Sequence, residues 1–179
     1  MSGYFYAMAV NNACANERLL RVCAGLSEAD FEAPRNGFFP SIKLTLNHIL
    51  TVDWFYLDAL QRGGLGRTVY EPEVPCATAA ALREAQRKTD QRLLEFCRPL
   101  AAADLSAEVE LARPHGVVHR ERVDRVLAHL FAHQIHHRGQ AHAMLADTGV
   151  APPQLDEFFL ATDLPLREAE LRTLGLPRK

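Results

Sequence analysis

Residues Leu127-Ala-His-Leu-Phe-Ala-His-Gln-Ile-His-His-Arg-Gly-Gln140 decide how the rest of the chain is read. At about 100° per residue they place Val126, Leu130, His133, His137, Ala141 and Met144 on one helical stripe. His133 and His137 thus stand one turn apart at the centre of an apolar face. His129 and Gln140 border the stripe, whereas His136 and His142 lie off it. A lone histidine on such a face is more often a hydrogen-bonded core residue than a ligand. Two need two sets of buried partners, and a shared metal ion supplies both at once.

Working outward, the segment belongs to a predicted helix from about Glu121 to Ala146, ended near Gly149 with Pro152 and Pro153 beyond. Three further long helices precede it. The first runs from about Tyr4 to Ala24 and stops at Gly25. After a loop through Pro34, Gly37 and Pro40, Ser41 caps a second helix that ends near Arg62, before Gly63 and Gly64. The third spans about Thr78 to Arg98 and is halted at Pro99. Between Leu105 and His119 the pattern changes to an alternating Glu108-Val109-Glu110-Leu111, a turn at Pro114-His115-Gly116 and an apolar Val117-Val118. That stretch reads as a short hairpin or an extended loop. A short piece from Leu155 to Leu160 and a charged helical tail from Leu166 to Leu174 are expected to pack on the outside.

The expected architecture is all-α, a four-helix bundle with a long connection between the third and fourth helices and a short C-terminal helical tail. A length of 179 residues suits one domain, with its core over about residues 4–160 and the tail over 161–179. On the second helix, the same angular count aligns His48 with Leu44, Val52, Phe55 and Ala59. A third imidazole therefore points from an apolar row, and a facing helix can complete a metal site begun by two histidines four residues apart.

Composition removes several function classes. Lys and Arg number 20 against 22 Asp and Glu, a net charge of -2, so the basic excess of a nucleic-acid binder is missing. No apolar run approaches the roughly 18 residues of a membrane span. The uncharged stretch from Ser2 to Asn16 lacks the basic start of a signal peptide, and Asn11 and Asn12 interrupt it. Cys14, Cys23, Cys76 and Cys97 form no Cys-x-x-Cys pair and read as small buried hydrophobes in a reduced, cytoplasmic protein. Cys14 and Cys97 are the thiols to inspect for reactivity.

Four segments carry a family resemblance: Asn16-Glu-Arg-Leu-Leu20, Phe39-Pro-Ser-Ile42, Thr45-Leu-Asn-His-Ile-Leu50 and His133-Gln-Ile-His-His-Arg-Gly-Gln140. Together they resemble the DinB/YfiT family of metal-dependent enzymes, from about Met8 to Leu160. The His-Arg-Gly-Gln end is the most specific element, supported by Leu-Asn-His at the right position. The resemblance implies a four-helix bundle, often a homodimer, with one divalent ion, nickel or zinc, on His48, His133 and His137. It also implies relatives that act as transferases and isomerases with low-molecular-weight thiols.

Three neutral imidazoles leave a coordination position open, as in catalytic rather than structural zinc. The expected function is a metal-dependent transferase acting on a small molecule with a low-molecular-weight thiol. Two alternatives stand beside it: a hydrolase using a metal-bound water, and a non-catalytic dimeric bundle with a structural metal in a stress response. The motif is His-Gln-Ile-His-His, so the base of a His-Glu-x-x-His protease is missing from its usual place. Asp53, Glu121 or His129 can replace it only if folding brings them near. His129 and His119 are the candidates for a fourth ligand. Gln140, Asn12 and Asn16 are candidates for lining the site, with local backbone bonding the commoner role for such amides. Arg138 is expected to be a structural or dimer-surface group, because the count turns it away from the ligand stripe.

Overall fold

The computed structural model describes residues 2–178 and is mostly helical. Four long helices dominate: α1 (Ser2–Cys23), α3 (Ile42–Leu60), α4 (Ala79–Cys97) and α6 (Val123–Leu145). Helix α1 packs on α4 and α6, and α3 packs on α6 and α4, so each long helix touches two others. Shorter helices lie between and after them: α2 (Glu28–Glu32), α5 (Ala102–Ser106) and α7 (Leu164–Thr173).

Local chemistry fixes the ends. The Ser41 hydroxyl accepts the Leu44 N–H at 3.1 Å, and Thr78 accepts the Ala81 N–H at 3.2 Å, each satisfying an orphan donor of a first turn. Helix α3 closes where Arg62 takes a positive φ of 56°, with the Gly63 N–H bonded back to the Asp58 carbonyl at 2.8 Å.

The expectation of an all-α chain is corrected by one feature. Strands β1 (Glu108–Ala112) and β2 (Val118–Arg122) pair antiparallel, with Leu111 opposite His119. The alternation at Val109 and Leu111 explains it, since both side chains are buried while their neighbours Glu108 and Glu110 are exposed. Helix α6 therefore starts at Val123, two residues after the expected Glu121. Residues Leu105 and Ser106, read as part of the hairpin, instead close α5.

The C-terminal segment is also bound more firmly than an outside tail. Arg18 on α1 donates to Glu170 of α7 at 2.9 Å and 3.1 Å and to Glu157 at 2.9 Å, and its guanidinium lies 4.6 Å from the Phe158 ring centre. Glu170 is 1% exposed. Burial raises its pKa, yet the bonds from Arg18 and Arg21 outweigh that and hold it below the ordinary value.

Two apolar cores fill the helix packing. One gathers Phe5, Ala9, Phe55, Leu94, Leu127 and Leu130; the other gathers Leu19, Ile42, Leu50, Leu82, Met144 and Leu145. Between them, along every long helix, the sequence turns polar: Asn12 and Asn16 on α1, Asp53 on α3, Gln86 and Asp90 on α4, Gln134 and Arg138 on α6. All seven are buried. Among the described residues, no helix is long and apolar enough to cross a membrane.

Candidate metal centre

The middle of α3 and the middle of α6 face each other at the level of this polar layer. There the structure brings His48, His133 and His137 together, with one ligand-competent atom from each lying within 4.8 Å of the other two. His133 Nε2 stands 3.0 Å from His48 Nε2. The ring centres of His137 lie 4.4 Å from His133 and 4.7 Å from His48.

The donor set fits a divalent ion. On one tetrahedral zinc, two nitrogens at about 2.0 Å from the metal stand about 3.3 Å apart, slightly wider than the His48–His133 spacing. His137 Nδ1 donates to Gln140 Oε1 at 2.8 Å, which leaves its Nε2 bare, as a ligand must be. Burial is the first cause that lowers all three pKa values, and neighbouring imidazoles add to it. His48 falls to about 4 and His133 to about 3, while His137 is lowered despite its bond to Gln140. All three are thus neutral at pH 7, with lone pairs to offer. Among the described residues, no carboxylate, thiol or fourth histidine belongs to the group.

Phe39 covers the group from the loop before α3. Its ring centre lies 4.3 Å from that of His48 and 5.6 Å from that of His137.

Other sequence candidates fall elsewhere. His119 is exposed on β2, opposite Leu111. His129 is exposed at the rim, its ring 6.3 Å from His133 and edge-on to Tyr56 at 5.2 Å. Glu121 bonds the Arg122 N–H and Arg125. The four cysteines are free and buried, with Cys14, Cys23 and Cys97 pushed up to about 12 by burial, so Cys14 and Cys97 are not the reactive thiols considered from sequence.

Asn12 and Asn16 depart most from the expected roles, and Arg138 explains why. The two amides bond neither the histidine group nor local backbone, and Arg138 takes the structural one of its two expected roles rather than the dimer-surface one. Arg138 is 5% exposed and donates to the Asn12 and Asn16 carbonyl oxygens at 2.8 Å each. Both amides then donate to Asp90, at 3.2 Å and 3.0 Å. Gln86 bridges Asp90 and Asp53, at 3.2 Å and 2.8 Å, and Gln134 donates to the same Asp53 oxygen. Burial raises both carboxyls well above the usual range, against the opposing pull of Arg138 and the amide donors. Burial likewise pulls Arg138 down to about 10, so it stays charged at neutral pH.

With three histidines gathered between α3 and α6, the fold is that of a helical protein carrying a candidate metal site, of the kind the sequence segments resemble. The sequence profile of the DinB family matches residues 1–166, and the chain belongs to that family. Among solved structures it is similar to a DinB-like protein from Bacillus cereus, with a TM-score of 0.63 and 20% identity over 80% of this chain and 89% of that one. That likeness is one of fold. No curated protein matches.

Proposed function

We propose that this chain is a metal-dependent enzyme of transferase type, acting on a small-molecule electrophile with a low-molecular-weight thiol. In this reading α1, α3, α4 and α6 form the family's four-helix bundle, and His48, His133 and His137 hold one nickel or zinc ion, the metals suited to imidazole. One observation carries the reading: three neutral imidazoles converge with no fourth protein donor among the described residues. A closed structural site would supply four.

A divalent cation in this site supplies positive charge that favours the thiolate form of a bound thiol near neutral pH. The protein's own groups do the rest. Burial keeps the three rings unprotonated, and Gln140 fixes the orientation of His137. Phe39 shields one side from water. His129 and His136, exposed at the rim, can accept the thiol proton; the His136 ring lies 4.8 Å from that of His137. The sulfur then bonds to the electrophilic carbon, and the leaving group departs with the electron pair. Hydrolysis is the alternative that the turnover test separates, since the same rim histidines can take a proton from water as well as from a thiol. A homodimer, implied by the family resemblance, is the assembly we propose; sedimentation at one protomer mass would contradict it.

The test is turnover. Metal-loaded protein, an alkylating electrophile and a panel of small bacterial thiols should give metal-dependent thiol consumption that is lost in His48→Ala. Silence with every thiol, beside cleavage of an ester or amide, would move the assignment to hydrolase.

A further inference from the structure

Two atoms between α3 and α6 lack a partner, and their chemistry is complementary. Asp53 Oδ1 and His133 Nδ1 are both buried, and neither makes a hydrogen bond among the described residues. Unpaired buried polar atoms are rare, because each costs the free energy of its lost hydration. Here one belongs to a carboxyl and the other to an imidazole. The carboxyl is tied to the same stretch of α6: Gln134, the residue after His133, donates to the second oxygen, Asp53 Oδ2. Gln86 donates to Oδ2 as well, at 2.8 Å. Both amide donors therefore converge on one oxygen and leave the other free.

We infer that Asp53 is the positioning residue for His133, its Oδ1 and the ring's Nδ1 holding one proton between them. The inference rests on the metal reading of the three-histidine group and adds to it a residue that touches no metal. An imidazole that binds a cation through Nε2 carries its proton on Nδ1. A carboxylate facing that N–H fixes the tautomer and the ring plane, and makes Nε2 a stronger donor. His137 already has such a partner in Gln140. For His133, whose ring approaches both other rings, the unpaired Asp53 Oδ1 would take that place once an ion holds Nε2.

The donor pattern also dictates what Asp53→Asn does. Gln86 and Gln134 both donate to the Oδ2 position, so the new amide oxygen must occupy it. Gln134 cannot turn its own amide around, because its Oε1 accepts from Arg138 at 3.4 Å. The Asn NH2 group is then left facing Nδ1, where it can donate only to an unprotonated nitrogen. That selects the His133 tautomer with its proton on Nε2, the atom needed for the ion.

Competition with a chelator for zinc, read on the full chain, tests this. Asp53→Asn should lower zinc affinity about ten- to a hundredfold. Asp90→Asn, which alters the same polar layer on its α1 and α4 side, should leave zinc affinity at the wild-type value. Should these variants fail to fold, the wild-type protein still decides. In its zinc-loaded form the His133 Nδ1–H resonance should lie downfield of that of His137, because a carboxylate accepts more strongly than an amide oxygen. Equal zinc affinity in folded Asp53→Asn, or a His133 resonance at or upfield of His137, overturns the inference. Failure of the underlying site looks different: wild type takes up no zinc, or His133→Ala takes up as much.

Discussion

Two clusters of polar side chains sit at the same level of the helix packing, and they differ in whether they complete themselves. The layer of Asn12, Asn16, Asp53, Gln86, Asp90, Gln134 and Arg138 contains its own cation, anions and amides, and all but one of its carboxyl oxygens find a donor. The group of His48, His133 and His137 contains only bases. Its imidazoles meet one another, and burial first, then neighbouring imidazoles, disfavours their protonation. A polar cluster satisfied from within is a structural element of a core, where it sets helix register and facing. A cluster of like donors is completed only by something from outside. The contrast separates scaffold from site without reference to any relative.

The largest expected effect lies in the self-completed layer. Arg138→Met removes the cation that two buried carboxyls share, and should cost about 3–5 kcal/mol in chemical denaturation. His133→Ala, in the cluster without internal partners, should cost about 1 kcal/mol or less. Equal losses in the two variants would erase the distinction. The next effect reverses the order. Zinc or nickel at a hundredfold excess over its Kd should stabilise the wild type by about 2.7 kcal/mol. His133→Ala and His48→Ala should show none of this shift by thermal denaturation.

A smaller effect comes from pH, and its sign differs between the clusters. The histidine pKa values are depressed on folding, from 6.5 to about 4 for His48 and about 3 for His133. Below 6.5 the unfolded chain therefore binds more protons, and the stability of the metal-free protein falls as pH drops toward 4. Asp53 and Asp90 act oppositely, since their values are raised: their contribution is full at low pH and fades as pH rises through the raised values. Subtracting the pH–stability curve of His133→Ala from that of wild type isolates the first trend. A difference that stays flat between pH 4 and 6.5 would show that His133 is not held neutral.

The histidine group was legible in the sequence because each of the three histidines lies on the apolar stripe of its own helix, and helical periodicity displays that stripe. The long helices were legible for the same reason, with caps such as Ser41 and stops such as Gly25 and Pro99 marking their ends. The polar layer was not. Arg138 lies off the α6 stripe, and a count around one helix leaves such a residue between a structural and a surface role until the neighbouring helix is known. A signal did exist in the i,i+4 polar pairs Asn12/Asn16, Gln86/Asp90 and Gln134/Arg138, which recur on three helices. Each pair alone resembles an ordinary solvated face, and only their alignment between two apolar cores makes them a layer. Glu170 escaped for a similar reason: its partner Arg18 is 152 residues away.

Everything proposed for the site requires the claim that the three histidines hold one ion. Elemental analysis of protein equilibrated with zinc or nickel and then desalted, run beside His133→Ala, addresses that claim most directly. One metal per wild-type chain, with a near-total loss in the variant, is the predicted result. A wild-type chain without stoichiometric metal, or a variant that retains it, would contradict the account.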